Sequence, residues 1–498
     1  MRTVLTAINA SYVHTNPAVR GLAAAADEWD VFFCEYNINQ PAQDILHDLL
    51  QKKPVVVCFS CYIWNIGMVL RVAEDLKRID PYLRVILGGP EVSFESRVWM
   101  RKAPFIDYIV CGEGETVLPR LLQAIEKGNV GGLKSVLYRE KNTIRGDDTY
   151  AVCENLEAFP APFSAAQDSY DENRIYYYES SRGCPFSCAY CLSGAIGGGV
   201  REKSVGKVKR DIDVFIQKNT RLVKFVDRTF NANRQRAKEI WRYVIERTGN
   251  TSFHFEVGLD LLDEEAIMLL QSAPAGKIQL EAGIQSCNQK TLETVIRKTN
   301  MTGMKHNARA ILKAGNIHLH LDLIAGLPHE DLPSFARSFN EVYALYPDAL
   351  QLGFLKLLRG TALKRTAGEY GIVARSYAPY EVLKTNDITA DELLCLREIA
   401  GLVDRYYNTG RMRKGFDYIT KNNILQPFEL YAKLYAFSCE SGYAARPISV
   451  RDQFTLIISF AKYVLKERQL LSFLKYLKQD YIQTKAKGAM PNELAQID

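Results

Sequence analysis

The chain has 498 residues, 47% hydrophobic and 24% charged, with 63 Lys and Arg against 57 Asp and Glu for a formal net charge of +6. This length predicts two or three domains with full cores, and the charges are interspersed rather than gathered in runs, which makes no case for nucleic acid. No stretch reaches transmembrane length, no basic region or cleavage site precedes the first apolar run, and eleven cysteines, an odd number, are too sparse for a disulfide scaffold; these features predict a reduced, cytoplasmic protein with no membrane partner.

In the first 140 residues short apolar runs alternate with amphipathic segments. Residues 3–8, 30–34, 55–59, 84–87 and 108–111 read as strands by length and β-branched content, and stretches such as 66–79 carry helical spacing. The alternation predicts an α/β fold with a doubly wound, Rossmann-like parallel sheet over 1–140, whose ligand lies outside the carboxyl ends of the strands. The chemically distinctive residues fall at those ends: 9–14, 60–65, Gly88-Gly89-Pro90-Glu91 and Gly112-Glu113-Gly114-Glu115. Glycines there let backbone approach a ligand, or simply make tight turns. No Gly-x-Gly-x-x-Gly follows the first strand, which disfavours a dinucleotide.

Taken in order, the Gly-Gly-Pro-Glu and Cys-Gly-Glu-Gly-Glu turns resemble those of cobalamin-binding domains. The resemblance implies a corrinoid lying flat on the carboxyl edge of the sheet, against Asn9, Tyr12, His14, Ser60, Tyr62, Asn65, Gly88, Gly89, Glu91, Gly112, Glu113 and Gly114. The Asp-x-His-x-x-Gly signature that supplies a lower cobalt ligand in that family is absent. His14 stands instead in Tyr-Val-His-Thr-Asn-Pro, so the expectation is cobalamin with no protein imidazole below the cobalt.

Phe-Pro-Ala-Pro-Phe at 159–163 marks a linker, placed at 141–168. Beyond it Cys184, Cys188 and Cys191 share one short loop, Ser-Arg-Gly-Cys-Pro-Phe-Ser-Cys-Ala-Tyr-Cys, which offers three thiolates and no fourth. Such a set holds a metal cluster with one metal open to a small molecule; the bland alternative is three buried free thiols. The loop resembles the signature of the radical S-adenosylmethionine (radical SAM) enzymes, in which the open iron of a 4Fe-4S cluster takes the amino and carboxylate groups of the SAM methionine. Tyr190 then stands where that family places an aromatic ring beside the adenine.

The alternation resumes with strands expected at 175–180, 222–226, 252–257, 277–284, 318–324 and 349–355. Six such units predict a partial (β/α)6 barrel over 169–365, with its chemistry at the carboxyl ends of the strands. Asp227 falls at the second strand end, either as a SAM contact or in a surface ion pair with the following Arg. Glu256 is an acid in an otherwise apolar strand and needs a partner if buried, which a ribose hydroxyl, the SAM ammonium or a neighbouring lysine supplies. Glu281-Ala-Gly-Ile-Gln-Ser286, the helix bearing Arg297, and Leu321-Asp-Leu-Ile-Ala-Gly-Leu-Pro328 resemble the coproporphyrinogen-oxidase-like and methylthiotransferase-like branches of the superfamily. That resemblance implies SAM contacts from Glu281, Gln285 on the ribose, Arg297 on the carboxylate, and Asp322 on a hydroxyl or the ammonium.

Residues 366–498 show helical spacing at 393–407, 427–437, 451–465 and 470–481, with the last dozen residues expected to be disordered. Its tyrosines, with Arg411, Arg413 and Lys414, can stack and pair with RNA, but read more readily as core rings and a solvated basic turn. This domain is expected to cap the barrel mouth.

The whole resembles a group of cobalamin-binding radical SAM proteins with an uncharacterised C-terminal domain. The resemblance implies an enzyme that cleaves SAM reductively to a 5′-deoxyadenosyl radical and methylates an unactivated carbon of a small-molecule or peptide substrate, served by a reductant such as flavodoxin or ferredoxin. The alternatives are a corrinoid-dependent rearrangement or oxidation without methyl transfer, and a noncatalytic cobalamin-binding sensor, against which the intact cysteine triad argues.

Overall fold

Strand β1 (Thr3–Asn9) is buried at every position, as a central strand covered on both faces must be. Strands β2 (Val31–Asn37), β3 (Val56–Ser60), β4 (Arg84–Gly88) and β5 (Tyr108–Val110) lie parallel with it in the order β2-β1-β3-β4-β5. The two-residue period of a strand sorts their side chains. Val57, Phe59, Val85 and Leu87 face one side, against Val69, Val72 and Leu76 of the helix Ile66–Ile79 and Ile45 and Leu49 of the helix Ala42–Gln51. Val56, Cys58, Ile86 and Val110 face the other, against Val19 of the helix Pro17–Ala25 and Leu118, Leu121 and Leu122 of the helix Val117–Glu126. Each such buried aliphatic side chain contributes about 1.5–3 kcal/mol, and two apolar faces make the expected doubly wound sheet.

In this computed structural model, residues 1–164, 170–196, 199–443, 448–484 and 490–497 are described. Strands β6 (Val136–Glu140) and β7 (Thr143–Gly146) extend the first sheet antiparallel beyond β5. β7 therefore places residues 143–146 of the stretch read as linker, 141–168, in the first sheet. The strand is polar and mostly exposed, so no apolar alternation announces it, and its pairing with β6 is what makes it a strand. Residues 165–168 of that linker lie outside the described residues.

The chain divides into two compact units: Met1–Leu280 with Lys356–Ala367 and Ala374–Glu381, and Glu281–Leu355 with Gly368–Val373 and Val382–Asp498. In the first unit β8 (Tyr176–Tyr178), β11 (Leu222–Phe225) and β12 (Ser252–Glu256) form a parallel run, while β9 (Ser181–Arg182) and β10 (Arg201–Glu202) make a separate two-residue antiparallel ribbon. Strand β13 (Ile278–Gln285) begins in the first unit and ends in the second, which also holds the parallel pair β14 (His318–Ala325) and β15 (Ala349–Phe354).

The rest of the second unit is helical. Thr389 and Glu392 form a reciprocal capping box at the start of Ala390–Leu402, which runs on as a π-helical turn, Val403–Asn408. A helix at Arg413–Lys421 corrects the reading of Arg413 and Lys414 as a solvated turn. Its cap is not local: the buried Asp480 accepts from the Lys414 and Gly415 N–H groups at 3.1 and 2.9 Å, and the Arg413 guanidinium lies 3.7 Å from the Tyr346 ring centre and 4.3 Å from that of Tyr407. Tyr406, Tyr407 and Tyr431 are core rings, while Tyr463 and Tyr476 are exposed. Within the last dozen residues, where disorder was expected, Asn492–Ala495 form a short helix, and 487–489 and 498 lie outside the described residues. Among the described residues no helix is long and apolar enough to cross a membrane.

Candidate cofactor site and cysteine loop

The carboxyl ends of β1, β3, β4 and β5 open into a cavity of about 780 Å³. Asn9, His14, Ser60, Tyr62, Gly88, Gly89, Glu91, Gly112, Glu113 and Gly114 line it; Tyr12 and Asn65, expected with them, do not. Tyr12 is exposed and donates to Asp171 at 2.8 Å. Asn65 is fully buried and builds the loop after β3: its Oδ1 accepts from the Tyr62 N–H at 2.8 Å, and its Nδ2 donates to the Ile8 and Ser60 carbonyls at 3.0 and 2.8 Å. The loop so fixed presents Tyr62 and Trp64 as a stacked pair, 4.3 Å apart and 7° from parallel, and both line the cavity. Nothing in the local sequence singled out Trp64, because its place depends on Asn65.

Two expected contacts are committed to the protein itself. His14 Nδ1 lies 2.7 Å from the Tyr177 hydroxyl, and the backbone on either side is tied to the start of β8, with Arg174 donating to the His14 carbonyl at 2.5 Å and Thr15 N–H to Ile175 at 3.2 Å. Burial, then the charges of Lys224 and Arg174, push the imidazole pKa down. Glu91 is 4% exposed and accepts a hydrogen bond from the Tyr380 hydroxyl; burial pushes its carboxyl up, with Tyr380 and Arg359 partly offsetting this. Arg359, which also lines the cavity, comes from the segment after β15 and carried no local signal. Gly89 has φ 102°, and a Cβ there would fall 2.7 Å from the Cys61 carbonyl oxygen, so this glycine serves a tight backbone crossing rather than ligand approach.

The cysteine loop runs between β9 and β10. Cys188 is buried, Cys184 and Cys191 are partly accessible, and the Cys191 N–H donates to the Cys188 carbonyl at 3.0 Å. At its neck Gly183 has φ 97°, and a Cβ there would lie 2.1 Å from the Gly199 oxygen. Gly183, Leu192, Ser193 and Ile196 line the cavity, so the loop that carries the thiols is one of its walls. Three soft thiolate donors on a partly accessible loop suit an iron–sulfur cluster with an open position better than a hard cation.

Of the expected SAM contacts in the first unit, Glu256 lines the cavity and Tyr190 is half-buried on the cysteine loop. Asp227 does otherwise. It is fully buried, and its carboxylate accepts from the Ser180 N–H at 3.0 Å and from the Ser180 and Ser181 hydroxyls at 2.6 Å each. Burial raises its pKa against those hydrogen bonds. With its oxygens so occupied, Asp227 supports the approach to the cysteine loop rather than a ligand, which corrects the expectation for its side chain.

In the second unit Glu281, Gly283 and Gln285 alternate along one face of β13. Gln285 has φ 71°, and its Nε2 occupies the space over Gly283, 1.9 Å from where a Cβ would be. Arg297 donates to the Gly283 carbonyl at 2.6 Å. The Gln285 Oε1 is shielded from solvent with no hydrogen-bond partner among the described residues, the state of a group that a ligand hydroxyl would satisfy. Asp322 Oδ1 lies 3.1 Å from His320 Nε2, and Glu281 Oε2 lies 3.9 Å from His320 Nδ1. Sequence reasoning missed His320, whose place beside the two acids depends on strand register.

A doubly wound sheet with a cavity at its carboxyl edge, one wall of which is a three-cysteine loop held by an antiparallel ribbon, defines an α/β protein with a ligand site at its strand ends. Comparison with known families agrees: residues 3–122 match the B12 binding domain, residues 178–342 the radical SAM superfamily, and residues 368–498 a protein family of unknown function, DUF4080. In chain order these matches give a B12-binding region, a radical SAM region and a C-terminal region of unknown function. An uncharacterized methyltransferase of Pyrococcus horikoshii is 27% identical over 266 residues, 52% of this chain and 57% of that protein. The cobalamin-dependent radical SAM methyltransferase TokK of Streptomyces tokunonensis is 24% identical over 330 residues, 63% of this chain and 47% of that protein. The chain thus spans about half the length of these curated relatives. Among solved structures, the cobalamin-dependent radical enzyme OxsB, with aqua-cobalamin and S-adenosylmethionine bound, shares the fold with a TM-score of 0.64 at 14% identity, covering 97% of this chain and 79% of that one. TsrM from Kitasatospora setae, with cobalamin and a [4Fe-4S] cluster bound, gives 0.62 at 17% identity, covering 77% and 79%.

Proposed function

We propose that this chain is a cobalamin-dependent radical SAM enzyme that methylates an unactivated carbon of a small-molecule or peptide substrate. The observation that carries the reading is the shared cavity, lined both by Gly183, Leu192 and Ser193 of the cysteine loop and by Ser60, Gly88 and Gly112 of the strand-end turns. Cys184, Cys188 and Cys191 would hold the 4Fe-4S cluster, and the strand-end turns the cobalamin. When bound, these groups supply one-electron cleavage of SAM and a transferable methyl group. The protein's share is to bind, orient and exclude water: Tyr62, Trp64, Tyr150 and Tyr177 give the cavity aromatic walls, and Gln285 offers a shielded acceptor to a hydroxyl. No protein general base is required. The electron comes from a reductant protein of the flavodoxin or ferredoxin kind, and the cytoplasm, where thiols stay reduced, suits the whole.

The relative named anaerobic magnesium-protoporphyrin IX monomethyl ester cyclase, from Rubrivivax gelatinosus and 25% identical over 350 residues, favours a second reading, oxidation or rearrangement without methyl transfer. Anaerobically reconstituted protein, given a strong reductant and SAM labelled in its methyl group, tests both. The proposed function predicts 5′-deoxyadenosine together with labelled methyl on the cobalamin. Deoxyadenosine with no methyl uptake favours the second reading, and no deoxyadenosine refutes both.

A further inference from the structure

The ribbon that closes the base of the cysteine loop sets Arg182 of β9 directly opposite Arg201 of β10. Like charges facing each other across an antiparallel pair repel, and two-residue strands contribute little to resist them. The opposing charge comes from the turn after β5. Glu113 takes Arg201 in a two-pronged pair, Nη2 to Oε1 at 2.6 Å and Nη1 to Oε2 at 2.8 Å, while its Oε2 also accepts from Arg182 Nη1 at 3.1 Å and from the Cys153 N–H at 2.7 Å. Glu115 holds Arg182 from the same turn, Nη2 to Oε1 at 2.5 Å and Nη1 to Oε2 at 3.2 Å. Arg182 Nε reaches Glu179 at 2.7 Å. All four main partners are largely buried, with side chains 10–16% exposed.

We infer that Glu113 and Glu115 are positioning residues for the cysteine loop, clamping both ends of its neck and thereby tying the thiol site to the cavity that their turn lines. The inference rests on the cluster part of the reading above. Two features carry it. Glu113 receives four donors, three on Oε2 and one on Oε1, so most of its accepting capacity goes to the neck rather than to a corrinoid amide, the contact that the turn's resemblance implied. The clamp is also the bridge that joins two otherwise repelling arginines, so the spacing of the loop's ends depends on an acid about seventy residues earlier in the chain. Burial pushes the Glu113 carboxyl up, but the Arg201 hydrogen bond and the Arg182 charge outweigh it and hold the group below its usual range.

The test uses the full-length protein, reconstituted with iron and sulfide, and three readouts: the rate of iron release to a ferrous chelator, the electron paramagnetic resonance spectrum of the reduced cluster, and hydroxocobalamin affinity. Glu113→Gln is expected to release iron about 10-fold faster and to alter the cluster spectrum, with hydroxocobalamin affinity within about twofold of wild type. Glu113→Gln/Arg201→Gln, which removes the acid together with one of the two repelling charges, is expected to recover most of the iron retention. The inference is overturned if Glu113→Gln loses hydroxocobalamin affinity about 10-fold while iron release and the cluster spectrum stay as in wild type, since Glu113 would then be a corrinoid contact. Should Glu113→Gln not fold, Glu115→Gln, which leaves Glu113 in place, decides the matter by the same readouts, with unchanged iron release overturning the inference. Wild-type protein that holds iron but no cobalamin sinks the proposed function alone; wild type that holds no iron sinks both.

Discussion

Glu330 offers a perturbation whose sign runs against intuition. It follows β14, is 1% exposed, and accepts through Oε1 from the Ser286 and Ser338 hydroxyls at 2.6 and 3.0 Å. Each hydroxyl also accepts a backbone N–H, Ser286 from Asn288 at 2.9 Å and Ser338 from Cys287 at 3.0 Å, which holds the two serines in place beside the carboxyl. Oε2 is buried with no hydrogen-bond partner among the described residues. Burial therefore raises the carboxyl from 4.5 to about 7, with the two serines partly offsetting it. A carboxyl raised on folding costs nothing while it is protonated in both states, and it destabilises the native state progressively as pH climbs from about 4.5 through about 7. At 1.36 kcal/mol per pH unit the loss amounts to roughly 3 kcal/mol by pH 8. Glu330→Gln keeps an Oε1 acceptor for both serines and removes the charge. Allowing about 1 kcal/mol for the buried amide, the variant should be about 1–3 kcal/mol more stable than wild type at pH 8 and no more stable than it at pH 4.5. For a unit of about 200 residues, 1 kcal/mol moves the melting temperature by about 2–4 °C, so paired thermal melts at the two pH values resolve the difference. A variant whose stability gap from wild type is the same at both pH values would refute the reasoning.

Replacing Cys184, Cys188 and Cys191 together with Ala should abolish iron uptake, against about four irons per chain in the reconstituted wild type, and unchanged iron would remove the organising claim of the site. Gln285→Ala and Asp322→Ala should each weaken SAM binding by about 1–3 kcal/mol, measured by equilibrium titration of the reconstituted protein, and unaltered affinity in both would strike these residues from the site. Bound cobalamin should show a base-off spectrum that His14→Ala leaves unchanged, because this histidine is tied to Tyr177 and to the start of β8. Cobalt lines split into triplets in wild type and unsplit in the variant would make His14 a ligand after all.

The cofactor class and the strand ends were legible in the chain itself because both are local facts. Cys184, Cys188 and Cys191 sit on one short loop whose spacing is fixed by covalent geometry, and the five parallel strands of the first sheet each carry their own apolar run between turn residues. The expected strand at 277–284 became Ile278–Gln285, and most others moved by about one residue, since a buried strand is written in consecutive residues; the strand expected at 30–34 runs on to Asn37 and that expected at 175–180 shortens to Tyr176–Tyr178.

What the tertiary structure alone decided is which polar groups answer one another. Asp227 and Glu113 read from sequence as ligand contacts, yet Asp227 accepts from Ser180 and Ser181, and Glu113 from Arg182, Arg201 and Cys153. Strand β7 and the helix at Arg413–Lys421 have the same cause. One exists by pairing with β6, and the other is capped by Asp480, 65 residues further on. An apolar side chain needs only to leave water, which any core permits, so periodicity alone foretells its burial. A buried carboxylate or N–H needs a partner at hydrogen-bond distance and in the right direction, and only the folded chain determines which residue that is.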